Sequence, residues 1–84
     1  MTAQTLMINL GHCYRKMRKF KDALEIYCKL YYIDSRNVDV LNSIGLTLSL
    51  NGNYSSALDF LHKANFIKSN DMFAIEMIHK CIND

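Results

Sequence analysis

Gly11 and Gly45 stand 34 residues apart, and the windows they anchor, 4–37 and 38–71, can be laid over each other without a gap. Gly11/Gly45, Ala23/Ala57, Leu24/Leu58, Lys29/Lys63, Ile33/Ile67 and Ser35/Ser69 are identical pairs. Met7/Leu41, Leu10/Ile44, Phe20/Tyr54, Glu25/Asp59 and Ile26/Phe60 keep their physical type. A fixed period of this length marks a supersecondary unit that cannot bury its apolar face alone and does so by stacking on a neighbour. A chain built this way is expected to bind other molecules rather than to catalyse.

The periodicity within each window is helical. Leu6, Met7, Leu10, Cys13 and Tyr14 recur at three-four spacing and predict a first helix over 2–16, with Thr2 as a candidate N-cap. Met17-Arg18-Lys19 is a turn candidate with little turn chemistry of its own. Phe20 to Ile33 follows as a second helix, with Ala23, Leu24, Tyr27, Leu30 and Tyr31 inward. The polar break Asp34-Ser35-Arg36-Asn37 ends in a residue able to cap a third helix, Val38 to Leu50, whose inward residues are Leu41, Ile44 and Leu48. Asn51-Gly52-Asn53 is the clearest turn, since Gly and Asn tolerate the left-handed conformation that ends a helix. Tyr54 to Ile67 and Met72 to Ile82 complete five helices, the last with Ile75, Ile78 and Ile82 on one face. The absence of proline suits a chain that is nearly all helix.

Glycine in mid-helix costs ~1 kcal/mol against alanine. Gly11 and Gly45 therefore need a reason, and close approach of a second helix supplies one. Ala23 and Ala57, each twelve residues on, are the expected small partners on the returning helix.

This glycine–alanine spacing on a 34-residue helix-turn-helix unit resembles the tetratricopeptide repeat (TPR). The likeness covers nearly the whole chain. Met7, Leu10, Gly11, Tyr14, Ala23, Tyr27, Leu30 and Ser35 fall at the signature positions of one repeat; Leu41, Ile44, Gly45, Leu48, Ala57, Leu61, Ala64 and Ser69 fall at those of the next. The resemblance implies an all-α solenoid in one domain, 1–84: repeat one over 4–37, repeat two over 38–71 and a half repeat over 72–84. Met7 and Leu41 replace the frequent Trp, Ser35 and Ser69 the frequent Pro, and His79 the Gly of the third repeat.

A narrower resemblance runs through Leu10-Gly11-His12, Arg15-Lys16, Ser43-Ile44-Gly45, Ser49 to Tyr54, and Ala57 to Ala64. Asp71, Phe73, Met77 and Cys81-Ile82 continue it. These strings are similar to the C-terminal repeats of the subunit-six scaffold family of the anaphase-promoting complex, the cell-cycle ubiquitin ligase. Other scaffold families of that complex, such as subunit three, stay open. The likeness implies a non-catalytic scaffold in the nucleus or cytoplasm, without cofactors. Its concave groove would hold an extended segment of a small accessory subunit, and its other partners would be further subunits of the complex.

The groove of such an array is lined by the first helix of each repeat. Ile8, Asn9, His12 and Arg15 are expected there from repeat one, Asn42 and Leu46 from repeat two, and Phe73 and Met77 from the half repeat, with Thr5, Asp39, Ser43, Ser49, Glu76 and Lys80 beside them. The positions where chaperone co-factors of the same repeat class carry a two-carboxylate clamp hold Ile8, His12, Ser43, Phe73 and Met77. None offers the guanidinium or ammonium that a carboxylate pairs with.

Other features weigh less. The formal charge of +2 does not by itself imply nucleic acid. Arg15, Lys16, Arg18, Lys19 and Lys21 crowd the first turn, and the alternative they offer is a nucleic-acid-associated helical-repeat module; acidic Asp22, Glu25 and Asp34 dilute them. Cys13, Cys28 and Cys81 fit no disulfide framework or zinc pattern, and with no secretory leader they fit a reducing compartment. Cys13 and Cys81 share a repeat position expected to be buried. No apolar stretch is long enough to span a membrane. The Met72–Ile82 helix has eight hydrophobic residues among eleven. With Ile75, Ile78 and Ile82 inward, Phe73, Met77 and Cys81 need other cover, which predicts self-association or stacking through this helix.

Overall fold

A computed structural model describes residues 2–68 and 72–83, without the side chains of 72–74 and 83. Five helices follow one another: α1 (Ala3–Lys16), α2 (Phe20–Ile33), α3 (Val38–Leu50), α4 (Tyr54–Ile67) and α5 (Met72–Asn83). Each packs on the next, and α3 also touches α1 and α5, so the first helices of successive units form an inner row.

The ends of the helices follow from local chemistry. Thr2 Oγ1 accepts from the Thr5 N–H at 3.1 Å, and Asn37 Oδ1 from the Val40 N–H at 3.3 Å, each satisfying a donor that the first turn leaves unpaired. The two intra-repeat turns are the same object. Lys19 N–H bonds Tyr14 C=O at 2.8 Å and Arg18 N–H bonds Arg15 C=O at 2.9 Å. Asn53 N–H bonds Leu48 C=O at 2.8 Å and Gly52 N–H bonds Ser49 C=O at 3.1 Å. Both are Schellman closures, which need a left-handed residue after the cap. Gly52 fills that position at φ 84°, and Arg18, one period earlier, fills it at φ 62°. The turn that lacked turn chemistry thus forms anyway, with Arg18 laid over the Phe20 ring at 5.2 Å.

The core repeats with the sequence. Ala23, Tyr27, Leu30, Val40 and Ile44 cluster between the two repeats, while Ala57, Leu61, Met77, Ile78 and Cys81 cluster between repeat two and α5. Ala23/Ala57, Tyr27/Leu61 and Ile44/Ile78 are period partners, so the second interface copies the first. Leu41 and Ala64 close the interior of repeat two.

The glycines sit at the close approaches between paired helices. A Cβ on Gly45 would meet Leu61 Cγ and Cδ2 at 2.6 Å and the Ala57 carbonyl oxygen at 3.5 Å. The atoms nearest to a Cβ on Gly11 are those of the Tyr27 ring, which lies across the space between the helices.

Three burial expectations are corrected. In α3 the residues turned toward repeat one are Val40, Ser43, Ile44 and Thr47, all buried. Their period equivalents on α1 are Leu6, Asn9, Leu10 and Cys13, and all four are exposed, Leu6 at 58% and Leu10 at 48%. The reason is that α2 lies against this face of α3, whereas no described helix lies against the equivalent face of α1. Cys13 is accordingly exposed, although Cys81 at the same repeat position is buried. On α5 the expected face is rotated. Met77, Ile78 and Cys81 are buried against repeat two, while Ile82 is 64% exposed. Ile82 lies one period after Leu48, which packs toward its own repeat's second helix; no such helix follows α5 among the described residues. Met77 and Cys81 therefore do not need the further cover expected of them, and the Phe73 side chain lies outside the described residues.

Candidate functional site

Ile8, His12 and Arg15 on α1 meet Asn42, Ser43 and Leu46 on α3 around a cleft of about 590 Å3, with Asp39 and Lys68 at its margins. Residues some thirty positions apart converge because α1 and α3 occupy equivalent places in stacked units. Of the residues expected in the groove, Ile8, His12, Arg15, Asn42 and Leu46 line one space. Asn9 is exposed but is not among its lining residues, since it lies on the unbacked face of α1. Met77 is buried at the interface with repeat two and is not a groove residue. A second cleft of about 600 Å3, between α2 and α4, is lined by Tyr31, Ser35, Arg36, Asp59, His62, Lys63, Phe66 and Ile67, and contains none of the expected groove residues.

The floor of the first cleft is polar. His12 Nδ1 lies 2.6 Å from the hydroxyl of Tyr27, a fully buried side chain of α2, and the two rings meet at 55° with centroids 5.6 Å apart. Burial holds the His12 imidazolium off and lowers its pKa below 6.5; Arg15 and Lys16 push the same way, and Asp39 opposes them. Burial also pushes the Tyr27 phenol up, against the pull of Arg15 and of the Ser43 side chain. Around neutrality the pair is therefore an uncharged imidazole and an intact phenol. Ser43 Oγ donates to the Asp39 carbonyl at 2.8 Å, and Thr47 Oγ1 to the Ser43 carbonyl at 2.7 Å, so the small polar residues of α3 are satisfied within their own helix.

Two features of the cleft escaped the sequence reading. Lys68, beyond the end of α4, reaches its margin. The His12–Tyr27 pairing was also unread, although a signal existed: Tyr27 takes a core position that its period partner Leu61 fills with hydrocarbon, and a buried phenol needs a hydrogen-bond partner within reach.

The basic run at the first turn is divided by the fold. Arg15 turns into the cleft, Arg18 lies over Phe20, and Lys16, Lys19 and Lys21 are exposed. Among the described residues no three of His, Cys, Asp and Glu gather in a metal-holding group, and no helix is long and apolar enough to cross a membrane.

Paired helices with glycine at the close approach, a copied interface every 34 residues and a cleft between successive first helices are now in place. The tetratricopeptide-repeat profile matches residues 5–37. The chain is an all-α helical-repeat solenoid that resembles the tetratricopeptide-repeat family. It is similar along most of its length to the Cell division cycle protein 16 homolog of Homo sapiens, with 33% identity over 79 residues, 94% of this chain and 13% of that protein. It is 36% identical over 75 residues to Anaphase-promoting complex subunit 6 of Dictyostelium discoideum, covering 89% of this chain and 9% of that protein. The protein of the same name from Arabidopsis thaliana is 32% identical over 78 residues, 93% of this chain and 14% of that protein. The chain thus spans only a small part of the length of these relatives.

Proposed function

We propose that the chain is a non-catalytic scaffold segment of an anaphase-promoting complex, acting in the nucleus or cytoplasm within the ubiquitin-ligase machinery of cell division. Its α1–α3 cleft takes an extended peptide from a partner subunit. The observation that carries this reading is the convergence of Ile8, His12 and Arg15 with Asn42 and Leu46 around one cleft. Apolar Ile8 and Leu46 supply contact area, while Asn42, His12 and Arg15 supply groups that pair with a peptide backbone. The similarity to named subunits of the complex supports the assignment of the partner class.

Stacking is the second part of the same reading. Leu6 and Leu10 on α1, and Ile82 on α5, are exposed on faces whose period equivalents are covered. These faces pack on neighbouring repeats or on a partner subunit, in place of the Phe73/Met77/Cys81 face expected from the sequence. The nucleic-acid alternative is not favoured, because Arg15 lines the cleft and Arg18 lies over the Phe20 ring.

An array of overlapping peptides covering the other subunits of the complex tests the groove. The chain is expected to retain specific peptides, and Asn42→Ala with Leu46→Asp to lose them while keeping its helical circular dichroism. Retention unchanged by that double substitution would move the binding site off the α1–α3 cleft.

A further inference from the structure

The cleft between α2 and α4 is built from the second helix of each repeat, whereas the groove is built from the first, and the two share no lining residue. Its volume is about 600 Å3. Part of its lining is apolar. Phe66 is 86% exposed there, with half-buried Ile67 beside it. Tyr32, one period before Phe66, is 92% exposed. Rings so open to water add little to the packing of the described helices, while a ring covered by a partner contributes a large contact area.

Cations stand next to this apolar surface. Lys63 Nζ donates to the Tyr31 hydroxyl at 3.3 Å and lies 5.6 Å from the Tyr31 ring centroid and 5.0 Å from that of Phe60. Those two rings meet edge to face at 80° across the α2–α4 interface. The ammonium is thus positioned by both helices, yet this bond uses one of its three donors. Arg36 follows α2 and is exposed. Its backbone N–H bonds Asp34, but among the described residues its guanidinium has no hydrogen bond or ion pair. Asp59 is the one acidic residue among the described lining residues.

We propose that the α2–α4 cleft is a second docking surface, which takes a short acidic segment of a partner protein. A carboxylate of that segment lies between Arg36 and Lys63, and a neighbouring apolar side chain packs on Phe66 and Ile67. The guanidinium fork and the ammonium are the groups that pair with a carboxylate. Asp59 sets the size of the charge. Two cations against one anion suit a singly charged carboxylate, whereas a phosphate, with close to two negative charges, brings a stronger repulsion from Asp59. This surface is independent of the groove, and a partner can occupy either one alone.

A phage-displayed library of random linear peptides tests it. The library is first depleted on Arg36→Glu/Lys63→Glu and then selected on the wild-type chain. The surviving peptides are expected to carry Asp or Glu close to an aliphatic or aromatic residue. They should bind the charge-reversed variant about tenfold more weakly or worse, the scale of one lost charge-assisted hydrogen bond. Phe66→Ser should weaken them by about threefold or more. Asn42→Ala/Leu46→Asp, which alters only the groove, should leave them unchanged, and all variants should keep wild-type helical circular dichroism. Survivors without acidic residues, or no survivors at all, would overturn the assignment. Survivors lost on Asn42→Ala/Leu46→Asp but indifferent to Phe66→Ser would overturn it too, while leaving the groove reading standing. A wild-type chain that binds single-stranded oligouridylate through Arg36 and Lys63, and no acidic peptide, would give the cleft to nucleic acid instead.

Discussion

A Cβ placed on Gly11 would come within 2.6 Å of Cε1 of Tyr27, closer than side chains approach one another. The ring cannot yield cheaply, because Tyr27 is fully buried and its hydroxyl is tied to His12. Gly11→Ala should therefore destabilise the chain although alanine is the better helix former. The helix term favours alanine by about 1 kcal/mol, and overpacking costs about 1–3 kcal/mol. The expected net loss is about 1 kcal/mol in chemical denaturation, and a stabilised variant would show that the ring has room to move.

Arg18 occupies the left-handed position that Gly52 takes one period later. An L side chain there costs roughly 1–2 kcal/mol, part of which the contact with Phe20 offsets. Arg18→Gly is expected to raise stability by about 0.5–1 kcal/mol, and Gly52→Arg to lower it, in paired urea melts. The Schellman bonds themselves should persist in both variants.

Leu10 and Ile44 are period partners with opposite environments, Leu10 at 48% exposure and Ile44 at 1%. Ile44→Ala should cost about 2–5 kcal/mol, as expected for a buried aliphatic truncation. Leu10→Ala should change the stability of the isolated chain by about 0.5 kcal/mol at most. If Leu6 and Leu10 form a stacking face, Leu6→Ser/Leu10→Ser should also reduce association in sedimentation while leaving helicity intact.

Acid should weaken the fold through His12. Its folded pKa lies below the ordinary 6.5, so above that value the imidazole is neutral in both states and contributes no pH dependence. As pH falls through 6.5 the unfolded chain takes up the proton first, and stability declines until the lower folded pKa is passed. His12→Leu should flatten that part of the stability–pH curve relative to wild type. An unchanged slope would mean that burial does not hold the imidazole neutral.

The boundaries of α2, α3 and α4, the N-caps Thr2 and Asn37, and the Ala23, Tyr27, Leu30 and Ile44 part of the inter-repeat core were legible as pattern. Each depends on local capping chemistry or on a three-four apolar spacing written twice at an interval of 34. The convergence of His12 and Arg15 with Asn42 and Leu46 was legible too, because a repeat fixes which helix faces share a wall. Spacing alone could not rank the apolar residues of α1 and α5 by burial. Leu10, Ile44 and Ile78 are equivalent in sequence, yet α2 covers Ile44, α4 covers Ile78, and no described helix covers Leu10. The same limit misassigned Met77, whose burial depends on how α5 rotates against repeat two. The sequence by itself determined the unit, its period and its helical faces, since these follow from short-range periodicity and caps. Only the tertiary structure decided which faces are covered, that the Tyr27 ring lies nearest to Gly11, and that His12 has a buried phenol as its partner, because burial and hydrogen-bond pairing are properties of neighbours distant along the chain.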